Sequence, residues 1–142
     1  MKILVINGPN LNMLGIREKD IYGSQTYEDL CNYISEEADK LNVEVKLFQS
    51  NHEGAIIDEI QNAYRKFDGI IINPGAYTHY SYAIADAIRS VNIKTIEVHI
   101  SNIHEREEFR RISVIEDACI KQIAGYGFEG YVMALKELIK ES

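Results

Sequence analysis

Arg17 and Tyr22 stand five residues apart in GPNLNMLGIREKDIYG, residues 8–23, directly behind the first apolar run of the chain. An ordinary tyrosine has a pKa of ~10, so about one phenol in a thousand is ionised at pH 7. A guanidinium within hydrogen-bonding reach favours the phenolate, and Arg suits the task because it does not lose its own proton. Lowering the phenol to ~8 raises the ionised fraction about a hundredfold, enough for a general base. Asn10 and Asn12 flank Leu11 in the same stretch. Their neutral carboxamides can hold a water or a developing oxyanion without adding charge. Plain turn chemistry is the competing explanation, and it accounts well for Gly8 and Pro9.

A second group lies in TIEVHIS, residues 95–101, where Glu97, His99 and Ser101 alternate and so share one face of a strand. A carboxylate beside an imidazole fixes its tautomer, the pattern of a positioned general acid. Asn73, Gly75 and His79 lead into an expected third helix, whose N-terminal amides suit a carboxylate or another anion. His79 and Asp86 are seven residues apart, which on one helix puts them two turns apart along one face. Asp86 then reads either as a solvated charge or as a group reaching a neighbouring subunit. Arg110, in HEREEFRR, follows the fourth strand and can bind a hydroxyl or carboxylate. The same charge run also fits a solvated surface.

The elements that must position these residues alternate in type. Strands are expected at 2–6, 43–48, 69–73, 95–101 and around 119–125, with the second alternating like an edge strand. Between and after them come segments of helical period at 26–41, 54–67, 83–91 and 128–140. Thr26 and Asp29 form a capping-box-like start for the first helix. Several strands are apolar throughout, which argues for a parallel sheet covered on both faces by right-handed crossovers. The reading is an α/β, doubly wound, flavodoxin-like domain of five parallel strands in the order 2-1-3-4-5, spanning residues 1–142 as one domain. Ligands in such sheets sit beyond the carboxyl ends of the strands, where the strand order reverses. The polar tails NGPNLN, NPGAYTH and HISNIHERE all fall at that end.

Composition narrows the partners. A formal charge of −7 over 142 residues repels phosphate backbones, so nucleic acid is not an expected partner. A site can still be locally positive on a negative chain. Cys31 and Cys119 lack CxxC spacing and read as small buried hydrophobes. The apolar run in MKILVINGPN is too short for a signal-peptide core. No window approaches the ~20 apolar residues of a membrane span. A cytoplasmic enzyme or binding protein, with no membrane association, is expected.

Taken together, GPNLNMLGIRE…YG, QSNHEG, INPGAYTH, EVHISN and EEFRR resemble, in order, the signature stretches of the type II 3-dehydroquinate dehydratases (type II dehydroquinases). The likeness runs from residue 3 to the GYVMAL segment. It implies a flavodoxin-like fold, no cofactor and no metal. It also implies reversible anti-elimination of water from 3-dehydroquinate, giving 3-dehydroshikimate in aromatic biosynthesis. By the resemblance, Tyr22, activated by Arg17, removes the axial proton beside the ketone. Asn10 helps hold a water that stabilises the resulting enolate, and His99, oriented by Glu97, protonates the departing hydroxyl. Asn73, His79, the backbone amides of Ile100 and Ser101, and Arg110 hold the substrate. Asp86 reaches an adjacent subunit's site, in a homododecamer built as a tetramer of trimers. One departure stands out. Members of the family commonly carry Pro after the Arg-Glu pair, where this chain has Lys19, so the loop lacks that fixed φ.

Other chemistries fit less well. The five-residue offset of His99 and His104 matches no common zinc spacing. The tail of the first strand carries no GxGxxG and no Ser/Thr- and Gly-rich phosphate cradle. The third strand ends in Asn73, where a response regulator needs a phosphorylatable Asp. No lysine falls at the expected strand ends in apolar surroundings that would favour a Schiff base.

Overall fold

A computed structural model describes residues 1–16 and 24–142. Arg17, Lys19 and Tyr22 lie outside the described residues, and so do the expectations placed on them.

Five strands form one parallel sheet: β1 (Lys2–Asn7), β2 (Glu44–Gln49), β3 (Gly69–Asn73), β4 (Thr95–His99) and β5 (Lys121–Ala124). Their order is β2-β1-β3-β4-β5, the flavodoxin-like order expected. Four longer helices stand among the described residues: α1 (Tyr27–Lys40), α2 (Glu53–Asn62), α3 (Tyr82–Val91) and α4 (Glu129–Glu141). None of these helices is long and apolar enough to cross a membrane.

The period-2 alternation of strand side chains sorts the apolar residues into two cores. On one face Ile3, Val5, Ile71, Ile96, Val98 and Ile123 pack against α1 (Leu30, Ile34, Ala38) and α4 (Tyr131, Ala134, Leu135, Leu138). On the other, Leu4, Ile6, Ile70 and Ile72 pack against α2 (Ile56, Ile60) and α3 (Ile84, Ala85, Ala87, Ile88, Val91). Each fully buried Ile or Leu contributes ~1.5–3 kcal/mol relative to exposure. Strands β1 and β3 are buried almost throughout, whereas β2 is wetter, as an edge strand is.

Local chemistry sets the helix ends. Thr26 Oγ1 accepts from Asp29 N at 3.1 Å, and Asp29 Oδ2 accepts from Thr26 N at 2.9 Å, completing the expected capping box. Helix α2 stops at Asn62 instead of running to 67, and Arg65 just beyond adopts a left-handed φ of 64°. Helix α3 begins at Tyr82, where Ser81 Oγ accepts from Ile84 N at 3.1 Å. The residues before it, Gly75–His79, form a separate 3₁₀ turn. His79 and Asp86 are therefore not on one helix, and their expected alignment along one face is corrected. Strand β4 ends at His99, so Ser101 lies past the strand and does not continue its alternation. Cys31 and Cys119 are free and half-buried.

The tails of β1 and β3 touch. Gly8 N donates to Asn73 O at 2.8 Å, and a Cβ on Gly8 would lie 2.7 Å from Pro74 O. Gly75, with φ +60°, also lies near the Pro9 carbonyl, 3.0 Å from an added Cβ. Gly8→Ala is therefore expected to destabilise the fold by ~1–3 kcal/mol, the range for overpacking. Gly54→Ala, with nothing within 4 Å, should be neutral or stabilise by ~0.5–1 kcal/mol. Urea unfolding of the two variants checks both; equal stabilities would contradict the close approach.

Candidate active site

Beyond the carboxyl ends of β1, β3 and β4 lies a pocket of about 110 Å³. At ~10–15 Å³ per water site it takes on the order of eight waters, the space of a small polar molecule. Asn10, Asn73, Gly75, His79, His99, Ile100, Ser101 and Arg110 line it. Eight of the residues expected from the sequence thus converge at the predicted sheet end. Pro9, Leu11, Ala76, Ile103 and Arg106 also line it, beyond the site residues expected from the sequence. Arg106 was visible only as one charge in the HEREEFRR run.

Glu97 is fully buried behind this pocket, and His99 is 6% exposed at its wall. His99 Nε2 donates to Glu97 Oε2. Thr78 Oγ1 donates to the same oxygen at 2.5 Å. Ser113 Oγ donates to the carboxylate, 2.8 Å from Oε1 and 3.0 Å from Oε2. Ser113 Oγ also accepts from Ile115 N and Glu116 N at 3.2 and 3.1 Å, which directs its one proton to Glu97. Neither Thr78 nor Ser113 was found from the sequence. They come from distant turns and meet only in three dimensions.

Burial alone would push the Glu97 carboxyl up. The hydrogen bond and charge of His99, with the hydroxyls of Thr78 and Ser113, outweigh it and hold the carboxyl below its ordinary 4.5. With Nε2 engaged by Glu97, Nδ1 is the other nitrogen His99 has for a ligand.

His79 Nδ1 donates to Ile112 O at 2.7 Å, and its ring meets Phe109 edge-on with centroids 6.0 Å apart. Burial lowers its pKa from 6.5; the Ile112 carbonyl opposes this, while the nearby charges of His99, Arg110 and Arg106 add to it. Arg110 stacks over Phe109 at 4.8 Å. Its buried Nε has no hydrogen-bond partner among the described residues, and Glu107 Oε2 is 3.9 Å away, too far for one. A buried, unpartnered guanidinium donor at a pocket wall is suited to an anionic or hydroxyl oxygen. His79, His99, Arg106 and Arg110 make the pocket basic on a chain of net charge −7.

Asn10 sits in the left-handed region at φ 70°, and its N donates to Asn51 Oδ1 at 3.0 Å. Asn12 is exposed and does not line the pocket; its Oδ1 is 3.4 Å from Gln49 Nε2. Asp86 is also away from it, on the exposed side of α3, 3.6 Å from Arg89.

The match to known proteins covers this whole arrangement. The family described as "Dehydroquinase class II" matches residues 1–139. The chain belongs to the class II dehydroquinase family. Relatives include the 3-dehydroquinate dehydratase of Clostridium acetobutylicum, 67% identical over 97% of this chain and 96% of that protein. Another is the 3-dehydroquinate dehydratase of Caldicellulosiruptor bescii, 67% identical over 96% of this chain and 95% of that one. Among solved structures, the type II dehydroquinase of Butyrivibrio crossotus superimposes with a TM-score of 0.96 at 66% identity, covering 98% and 97% of the two chains. That of Propionibacterium acnes does so with a TM-score of 0.94 at 43% identity, covering 98% and 96%. In this dehydroquinase pocket, the parts that the fold brings together are an imidazole held by a buried carboxylate, a basic lining and two strand-end asparagine-bearing tails.

The pKa directions carry a pH dependence of stability. His79 resists protonation in the fold, so stability is lost as pH falls below 6.5 toward its lowered folded value. Glu97 contributes stability that is fully present above 4.5 and is lost as pH falls through its depressed folded pKa. Urea unfolding from pH 8 to 3 is expected to show both declines, the lower one absent in Glu97→Gln. A Glu97→Gln curve parallel to wild type below 4.5 would contradict the assignment.

Proposed function

We propose that this chain, acting as one domain over residues 1–142, dehydrates 3-dehydroquinate to 3-dehydroshikimate by reversible anti-elimination through an enolate. It is a hydro-lyase of the shikimate pathway, serving chorismate and aromatic amino acid biosynthesis. Membership of the dehydroquinase family supports the reaction. The observation that carries the mechanism is His99, held by the buried Glu97 carboxylate at the wall of a basic pocket.

The reaction needs a base at the carbon next to the ketone and an acid at the β-hydroxyl. Tyr22 is the proposed base, its phenolate favoured by Arg17. It takes the axial proton, and the electron pair moves onto the ketone oxygen as an enolate. Asn10 helps hold a water that donates to this oxygen, a neutral donor where negative charge develops. The enolate then collapses, the C–O bond to the hydroxyl breaks, and His99 supplies the proton that lets the oxygen leave as water. Glu97 stays ionised and steadies the imidazolium before that transfer. Tyr22 is left protonated and His99 neutral, and one proton exchange with solvent resets both.

Substrate binding falls to the cationic wall. Arg110, with its unpartnered Nε, and the amides of Ile100 and Ser101 are suited to the carboxylate and hydroxyls. Asn73, His79 and the Gly75 turn complete the cradle. Asp86, remote from its own pocket, is proposed to complete the site of a neighbouring subunit in a homododecamer of four trimers. The enzyme is proposed to work in the cytoplasm without a cofactor or metal.

Adding 3-dehydroquinate and following conjugated-enone absorbance tests the reading. Wild type is expected to turn over, and Tyr22→Phe to lose at least about a hundredfold in kcat, the upper part of the usual general-base contribution. No enone from wild type would reject the substrate; unchanged kcat in the variant would reject the base.

A further inference from the structure

Asn7 and Asn73 are register partners at the ends of β1 and β3, so their side chains lie side by side on the α4 face of the sheet. Both are buried. Tyr131, on α4 and fully buried, reaches both of them. Asn73 Nδ2 donates to the Tyr131 hydroxyl at 3.0 Å, and that hydroxyl donates to Asn7 Oδ1 at 2.5 Å. At the other end, Gly75 N donates to Asn73 Oδ1 at 3.2 Å.

The direction of this chain is forced. A backbone N–H can only donate, so the Asn73 oxygen must face Gly75. The Asn73 amide group must then face Tyr131, whose single proton is left for Asn7. Burial pushes the Tyr131 phenol above its ordinary 10.0, so it keeps that proton across the working pH range. Asn7 holds this orientation with its own Nδ2 buried beside the Tyr27 phenol. A lone carboxamide can turn over by half a rotation at small cost, exchanging donor for acceptor. Here the turned state would set the Asn73 amide against the Gly75 N–H, donor facing donor.

We infer that Tyr131 is a positioning residue for substrate recognition: its phenol, with Asn7 as the acceptor of its proton, takes up one Asn73 N–H and, together with the Gly75 N–H on the Asn73 oxygen, holds the carboxamide one way round at the pocket. The lock leaves one Asn73 N–H for the ligand, which selects an acceptor oxygen such as a hydroxyl or carboxylate. The last helix thereby shapes a binding site to which it presents no lining residue. The inference rests on the substrate contact proposed for Asn73.

The test compares steady-state kinetics with 3-dehydroquinate for Asn73→Ala, Tyr131→Phe, Asn7→Ala and the double variant Asn73→Ala/Tyr131→Phe. Asn73→Ala is expected to raise KM about tenfold, the effect of one recognition hydrogen bond. Tyr131→Phe and Asn7→Ala should each raise KM about five- to tenfold with kcat within about threefold, and the double variant should match Asn73→Ala alone. Asn7→Ala keeps the tyrosine ring in place, so a merely space-filling role for Tyr131 predicts no change there. Circular dichroism verifies folding; should Tyr131→Phe not fold, Asn7→Ala decides by itself. Wild-type KM in either folded variant, with Asn73→Ala raised, overturns the lock. Wild-type KM in Asn73→Ala instead overturns the proposed contact, and the inference with it.

Discussion

An ionised carboxylate in the middle of a buried strand is costly unless donors replace the water it loses. Glu97 sits between Ile96 and Val98 in a strand buried along its whole length. Its replacement solvent is two hydroxyls, from Thr78 and Ser113, and the imidazole of His99. Those three donors arrive from three different segments, so the turns at 75–79 and around 113 must dock on the end of β4 for the charge to be tolerated. The 3₁₀ turn that carries Thr78 also carries His79, and the segment that carries Ser113 follows Arg110. Satisfying one buried charge thus brings the basic groups of the pocket into place.

A second constraint acts at the neighbouring strand ends. The backbone of β1 and β3 continues past the sheet in contact, with Gly8 against Pro74 and Gly75 against Pro9. That contact leaves no room for a side chain at Gly8. It also sets Asn7 beside Asn73, where a phenol from the opposite layer joins them. Both polar clusters occupy the sheet end where strand order reverses, the usual place for a ligand in this architecture.

Much of this was legible in the chain. Continuous apolar runs gave β1 and β3, alternation gave the β2 edge, and Thr26 with Asp29 marked the start of α1. Strand parity placed Glu97 and His99 on one face. Other features were not legible, for identifiable reasons. The apolar spacing from Ala83 onward gave no sign that Ser81 caps α3 and that His79 belongs to a separate turn. Asp86 therefore lost its alignment with His79. Helix α2 ended early because Arg65 turns left-handed, which period alone does not reveal. Thr78 and Ser113 are 35 residues apart, so their convergence on Glu97 is a tertiary fact. Tyr131 falls within the helical segment expected at 128–140, whose spacing reports burial and is silent about a hydroxyl. Asn12 looked equivalent to Asn10, yet only Asn10 faces the pocket.

The pocket depends on Glu97 being a charge and staying one. Carbon-13 labelling of the glutamate side-chain carboxyls, with the Glu97 signal assigned by its loss in Glu97→Gln, reads that state directly as pH is lowered. The predicted result is an ionised carboxylate that takes up a proton only below 4.5, the ordinary value for this group. Protonation of Glu97 at or above that pH would contradict the arrangement on which the pocket is built.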